Sequence, residues 1–252
     1  MKLLVFQKGF NYSQDGPGNR LVYHLQGCNL RCAWCSNPEG IQPGGTLMQA
    51  SGKQKLSCQE YDTEELAAEA QSCRELFFEG GGVTLTGGEP TLQYEAVKEL
   101  LARLQAGDIH TAMETNGFHP RLVSLLPLID YLIMDVKHAD GAIHRRFTGA
   151  DNAQTLKNLR DILGTGRQVA IRIPLVNGFN ASEADAEQFL ALFRSLPMEN
   201  ATVELLRYHE YGKDKWAQCG MEYTITDGSV EPAFAAHFQQ WLQENGIQVI
   251  RT

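Results

Sequence analysis

The sequence predicts an α/β fold, a partial (β/α)6 TIM-like barrel, from three observations. Strand-length apolar runs alternate with amphipathic helical stretches along most of the chain, and such alternation implies parallel strands joined by right-handed crossovers. About six strand–helix units fit, fewer than the eight of a closed barrel. Residues with useful chemistry cluster just after the strands, on the face where parallel α/β barrels form active sites.

The elements follow in order. "RLVYHLQG" (20–27) reads as a strand, and a cysteine-bearing loop follows it. "IQPGGTLMQASGKQKLS" (41–57) reads as a surface loop. "DTEELAAEAQSCRELFF" reads as one helix: Asp62 and Glu65 have capping-box spacing, and Leu66, Ala70, Cys73 and Phe77 share a face. "GVTLT" (82–86) is a short strand ending in "GGEP". "YEAVKELLARLQAG" is a helix with Tyr94, Val97, Leu101 and Leu104 inward and Gly107 as its stop. "IHTAME" (109–114) and "LIDYLIMDVK" (128–137) hold two more strands. A helix over 151–163, the strand "QVAIRIPLV" (168–176) and a helix over 183–195 come next. "ATVELLRY" (201–208) is the sixth strand, "AFAAHFQQWLQENG" the last helix and "IQVIRT" a closing strand. No linker, repeat or low-complexity segment divides the chain, so residues 1–252 are expected to form one domain.

Composition narrows the function classes. The chain has 252 residues, 43% hydrophobic and 21% charged, which is ordinary for a globular protein. A net charge of −8 argues against a general nucleic-acid binder. The apolar run at residues 3–6 is too short for a secretory signal, and no run approaches the roughly 20 apolar residues of a membrane span. A cytoplasmic monomer that binds neither nucleic acid nor membrane is expected, with its six cysteines reduced, metal-bound or buried.

Cys28, Cys32 and Cys35 stand in "QGCNLRCAWCSNPEG" with C-x3-C-x2-C spacing. A structural zinc site usually has four protein ligands, and only three cysteines cluster here. Cys73 reads as a buried helix residue; Cys58 and Cys219 are isolated. His24 could complete a zinc site but reads as a packed strand residue. Thiolates also hold iron–sulfur clusters. A cubane on three thiolates leaves one iron open, as a catalytic metal site leaves a position for substrate. Gly87 and Gly88 remove side chains where a backbone must approach a ligand closely. Glu114 and Asp135 end neighbouring strands, and Lys137 and Arg172 can neutralise carboxylates there. A structural ion pair is the rival reading for Arg172, and core packing for Trp34.

The cysteine motif resembles that of the radical SAM superfamily. "DGPGNR", "GGGVTLTGGEP", "METNGF", "MDVKH", "FTG" and "YHEYGKDKW" narrow the resemblance to the activating enzymes of glycyl radical enzymes, of the pyruvate formate-lyase type. It runs from about residue 8 to the C-terminus. The resemblance implies that Cys28, Cys32 and Cys35 bind one [4Fe–4S] cluster whose open iron is chelated by S-adenosylmethionine (SAM). It implies a SAM site at Ala33, Trp34, Cys35, Gly87, Gly88, Glu114, Asp135, Val136, Lys137, Arg172 and His209, with Glu89 supporting the glycine loop and a monovalent cation between the acids. A reduced cluster would cleave SAM to methionine and a 5′-deoxyadenosyl radical, which takes hydrogen from a glycine Cα of a partner enzyme. Asp15 and His209 would form the rim that meets the partner. A flavodoxin- or ferredoxin-type carrier would donate the electron. Apart from the resemblance, the run "HRR" (144–146) is the best basic patch toward an acidic partner, with an ordinary solvated helix face as the favoured reading. "CSNPEG" resembles activases with a ferredoxin-like insert, which needs about eight further cysteines. Cys58 and Cys73 alone stand in that region, so a single cluster and no insert are expected. Two alternatives are a radical SAM enzyme acting on a small molecule, of the 7-carboxy-7-deazaguanine synthase kind, and a non-catalytic zinc-binding or redox-sensing protein.

Overall fold

The computed structural model describes residues 1–50 and 52–250. The chain opens with β1 (Lys2–Tyr12) and β2 (Asn19–Leu25), then β3 (Leu47–Ala50), β4 (Lys53–Leu56) and β5 (Gln59–Asp62). Alternation follows through α1 (Thr63–Ser72), β6 (Gly82–Gly87), α2 (Tyr94–Ala106), β7 (Thr111–Thr115) and β8 (Tyr131–Asp135). It continues through α3 (Gly141–Thr148), α4 (Ala153–Gly164), β9 (Val169–Leu175), α5 (Glu183–Arg194) and β10 (Ala201–Arg207). The chain ends with α6 (Lys213–Gln218), α7 (Pro232–Glu244) and β11 (Val249–Ile250). One sheet has the order β11-β10-β9-β8-β7-β6-β2-β1-β5, and β3 and β4 form a separate hairpin.

The six predicted strands are β2 and β6 to β10, and all pair in parallel. The outer neighbour of β2 is β1 and that of β10 is β11, so the barrel stays open. The inward positions of α2 are buried as predicted: Tyr94, Val97, Leu101 and Leu104 join the core with Val83, Leu85, Met113 and Ile171. That burial, about 25 cal/mol per Å2 of apolar surface, holds helices to sheet and aligns the strand ends that carry the site. No helix among the described residues is long and apolar enough to cross a membrane.

Four expectations change. First, β1 was not foreseen; it pairs antiparallel with β2 and β5, and its far half is mostly exposed, so burial leaves little pattern there. Second, the expected loop at 41–57 contains the β3–β4 hairpin, with Leu47 opposite Leu56, both exposed. Third, the helix begun by Asp62 is shorter than expected. The Glu65 carboxylate accepts the Asp62 N–H at 2.9 Å, and Leu66 and Ala70 are buried. The chain then tightens into a 3-10 turn at Arg74–Leu76, which leaves Cys73 half-buried off the core, while Phe77 is half-buried and packs against it. Fourth, "HRR" is an ordinary solvated helix face rather than a basic patch: Arg146 alone is exposed with no ion pair among the described residues. His144 is buried, with Nδ1 2.6 Å from the Ala150 carbonyl, and Arg145 is paired with Asp151 at 2.5 Å. The predicted closing strand is seen at Val249–Ile250, and residues 251–252 lie outside the described residues.

Candidate active site

The cysteine loop leaves the C-terminal end of β2. Its base is closed by main-chain bonds from Gly27 N to Gly40 O (2.8 Å) and from Cys28 N to Ile41 O (2.9 Å). It has its own apolar pad of Leu30, Trp34, Val176 and Phe179, with the Trp34 and Phe179 rings 4.4 Å apart. Trp34 therefore fills core, the rival reading, and also lines the cavity beside it. Cys28, Cys32 and Cys35 all line that cavity, of about 340 Å3, together with Gly87, Gly88, Glu114, Asp135, Lys137 and His209. Burial pushes all three thiols up to about 12, and the Lys137 ammonium works against this. Metal binding must therefore release protons there.

The donor set distinguishes two metal readings. Thiolates on one tetrahedral zinc lie about 3.8 Å apart, from Zn–S bonds of about 2.3 Å. Among the described residues no three Cys, His, Asp or Glu side chains converge as one ion requires. A cubane takes each thiolate on a different iron, so three thiols spread around one cavity suit it. His24 does not join them. Its ring packs near Phe6 at 5.5 Å, and burial lowers its pKa to about 4. Cys58 and Cys219 are half-buried and outside the cavity.

The two glycines have a structural cause. A Cβ on Gly87, whose φ is +123°, would lie 2.3 Å from Leu25 N, and one on Gly88 2.2 Å from Gly27 O. The backbone they admit is the root of the cysteine loop: Gly88 N donates to Leu25 O at 2.9 Å and Glu89 N to Gly27 O at 2.7 Å. Glu89 is buried and away from the cavity wall. Its carboxylate accepts from Thr91 N (3.0 Å) and Oγ1 (2.5 Å), Thr115 Oγ1 (2.8 Å) and Asn116 N (2.7 Å). It thus ties the end of β6 to that of β7.

A row of charges runs from the cavity wall to Arg172 and Glu204 behind it. Lys137 Nζ donates to Asp135 at 2.7 Å. Burial alone would lower the Lys137 pKa, but Asp135 and the thiol positions hold it above the usual lysine range. Burial raises Asp135, against the pull of Lys137. Glu114 accepts from Thr86 Oγ1 and Arg172 Nη1, both at 2.9 Å. Burial would raise it, yet Arg172 brings it below the usual carboxylate value. Arg172 also donates from Nε to Glu204 at 2.8 Å and to the Gln14 carbonyl.

Three expected SAM residues stand off the cavity wall. Arg172 lies under it in the Glu114–Glu204 network, as the rival ion-pair reading had it. Val136 is 1% exposed and packs in the main core, because the alternation of β8 turns it away from the side bearing Asp135 and Lys137. Ala33 faces the cysteine-loop pad, and its N–H is spent on Phe147 O at 3.2 Å.

The two partner-facing candidates are not brought together. His209 lines the cavity mouth and stacks on Tyr211, with centroids 4.3 Å apart; Tyr211 is 85% exposed. Asp15, whose carboxylate accepts from Asn11 Nδ2 at 2.5 Å, is absent from that cavity wall. Thr84 Oγ1 donates to its carbonyl at 2.7 Å, and the fully buried Arg20 ties the same turn through Pro17 O (3.1 Å) and Thr84 (2.6 Å). Burial and the nearby Glu114 charge raise the Asp15 pKa to about 6.

That shift has a definite sign. The native state keeps the Asp15 proton up to about pH 6, while the unfolded chain loses it near 3.8. Stability therefore falls as pH rises through this window. Asp15→Asn is expected to stabilise the protein by about 1–3 kcal/mol at pH 8 and by almost nothing at pH 4. Urea denaturation at the two pH values checks this, and equal gains at both would contradict it.

Several site residues escaped the sequence reading. Asn116 Nδ2 donates to Asn29 Oδ1 at 2.8 Å and lies 4.0 Å from Cys28 Sγ. Trp216 Nε1 donates to the Cys35 carbonyl at 2.9 Å, and Lys215 reaches Glu39 at 2.6 Å and Asn37 at 3.0 Å. A Cβ on Gly212 would lie 2.5 Å from Ser36 O. The "YHEYGKDKW" segment thus clasps the cysteine loop from the far end of the chain. The motif itself was visible, but its target was not.

Comparison with known proteins supplies the family. Residues 22–190 match the family model described as the radical SAM superfamily. The chain is 34% identical to a choline trimethylamine-lyase activating enzyme of Oleidesulfovibrio alaskensis, covering 89% of each chain. It is 33% identical to pyruvate formate-lyase 1-activating enzyme of Escherichia coli, covering 86% of this chain and 85% of that one. A solved domain of a pyruvate-formate lyase-activating enzyme from Bacteroides vulgatus superposes with a TM-score of 0.57 at 26% identity, covering 68% of this chain and 98% of that one.

Proposed function

Since the chain belongs to the radical SAM superfamily, and within it to the activating enzymes of glycyl radical enzymes, we propose that the cavity at the C-terminal strand ends holds its cluster and SAM. The observation that carries this reading is the convergence of Cys28, Cys32, Cys35, Gly87, Gly88 and Lys137 on one cavity. Cys28, Cys32 and Cys35 would hold the [4Fe–4S] cluster, and with SAM it would supply one-electron chemistry that removes hydrogen from a glycine Cα.

The chain's own residues hold and orient. The three cysteines ligate one cluster, in a single domain with no ferredoxin-like insert. Trp34 packs beside the cavity, and Gly87 and Gly88 bring its wall close to the cysteine loop. Lys137 presents positive charge to a carboxylate, steadied by Asp135. Glu114 and Asp135 each have a cation already, in Arg172 and Lys137, which weighs against a further monovalent cation. His209 serves the mouth, where a glycine loop of the partner enters. Asp15 serves the partner end from the turn before β2, close to Glu114. A flavodoxin- or ferredoxin-type carrier reduces the cluster of this cytoplasmic monomer. A small-molecule substrate is the less favoured alternative, because the relatives above are named for activating enzymes.

Chemically reduced protein should turn SAM into methionine and 5′-deoxyadenosine in equal amounts. His209→Ala should lower partner-glycyl radical formation more than this partner-free cleavage. Equal losses in both assays would move His209 from the partner end into the SAM site.

A further inference from the structure

We infer that Asn180 is the positioning residue that aims the Lys137 ammonium at the carboxylate of bound SAM. The inference rests on the reading above, which gives Lys137 that carboxylate. Asn180 is fully buried and absent from the cavity wall. Its side chain is spent on main chain. Nδ2 donates to the carbonyls of Lys137 and Pro174, both at 2.8 Å, and Oδ1 accepts the Val176 N–H at 2.8 Å. Two carbonyls on one side and an N–H on the other fix which way the amide faces. Lys137, Pro174 and Val176 all line the cavity, so one buried side chain holds three points of its wall.

The sheet itself cannot supply these bonds. β8 and β9 pair as far as Asp135 and Arg172, and Val136 N donates to Arg172 O at 2.9 Å. Two residues further along β9 stands Pro174, which has no N–H with which to continue the ladder. Asn180 brings a donor from the loop that follows. Phe179 N and Asn180 N both donate to Val176 O, at 3.1 and 3.2 Å, and this turn folds the amide back onto both strand ends. Phe179 in the same turn packs on Trp34, so the turn also props the cysteine loop. The Lys137 ammonium is held 2.7 Å from Asp135, and Asn180 holds the main chain of the same residue. Two anchors aim one charge, and a misplacement of about 1 Å can cost about a hundredfold.

The test reads equilibrium binding rather than turnover, with two ligands on the cluster-loaded protein. S-adenosylhomocysteine carries the carboxylate; its decarboxylated analogue keeps the amine and the nucleoside without it. Asn180→Leu should weaken S-adenosylhomocysteine about tenfold and leave the analogue within about twofold of the parent. Added to Lys137→Ala, Asn180→Leu should cost nothing further, because both changes remove one interaction. If Asn180→Leu does not fold, Asn180→Ser, which leaves room for a water in place of the amide, is read by the same criteria. Equal losses for the two ligands would mark an ordinary structural amide and overturn the inference, as would no loss for either. A Lys137→Ala variant that keeps the parent's preference for the carboxylate would overturn the reading of Lys137, and the inference with it.

Discussion

Cys32→Ala is expected to remove the iron as well as the activity. The parent, reconstituted without oxygen, should carry about four irons per chain, one cubane on three thiolates. Cys32 is buried on the cavity wall, and no other cysteine lines the cavity beyond Cys28 and Cys35. Two remaining thiolates cannot hold the cluster against solvent and chelators. Outer partners of a metal site typically cost 10–100-fold when lost, so a lost ligand should cost at least about a hundredfold in SAM cleavage. Cys219→Ala should keep both iron and rate. A parent count near eight or twelve would show further clusters. Zinc in place of iron would remove the radical chemistry, and full iron in Cys32→Ala would mean that this thiol is no ligand.

Arg172→Met should be the most destabilising single change near the site. The guanidinium is buried between Glu114 at 2.9 Å and Glu204 at 2.8 Å. Methionine fills the volume and leaves both carboxylates without it. Breaking such a buried network costs about 3–5 kcal/mol. The pH dependence follows. With Arg172 in place, the folded pKa of Glu114 is depressed. Its contribution is therefore full above the unfolded value and lost as pH falls through the folded one. Without Arg172, burial raises the folded pKa, so the variant should lose stability as pH rises above about 4.5. Denaturation midpoints at pH 5 and pH 8 should differ most at pH 8. A loss under about 1 kcal/mol at pH 8 would mean the network is solvated.

The parts legible in the sequence are those that burial writes into it. β6 reads correctly because its short apolar run is buried throughout, and α2 because its buried positions recur at helix spacing. β1 and the β3–β4 hairpin did not, because backbone pairing holds them while side chains such as Phe10, Leu47 and Leu56 stay exposed. In the site, the cysteines, Gly87, Gly88, Asp135 and Lys137 were found by their place just after strands. Arg172 was harder. Its role depends on register, which sets it beside Asp135 on one side and Glu204 on the other. Asp15 entered as a rim residue only through the resemblance of "DGPGNR"; the bonds of Thr84 with its carbonyl and with Arg20, which hold its turn off the cavity wall, join residues far apart in the chain. The hold of Trp216 on Cys35 spans 181 residues of chain, a separation over which no local pattern speaks.

Deuterium tracing tests the central claim most directly. A glycyl radical enzyme partner is produced with glycine deuterated at Cα and mixed with the reduced, SAM-loaded protein. The account predicts one deuterium in the methyl group of the 5′-deoxyadenosine formed, together with a protein radical on the partner by electron paramagnetic resonance. Unlabelled 5′-deoxyadenosine and no protein radical, across a panel of glycyl radical enzymes, would contradict it.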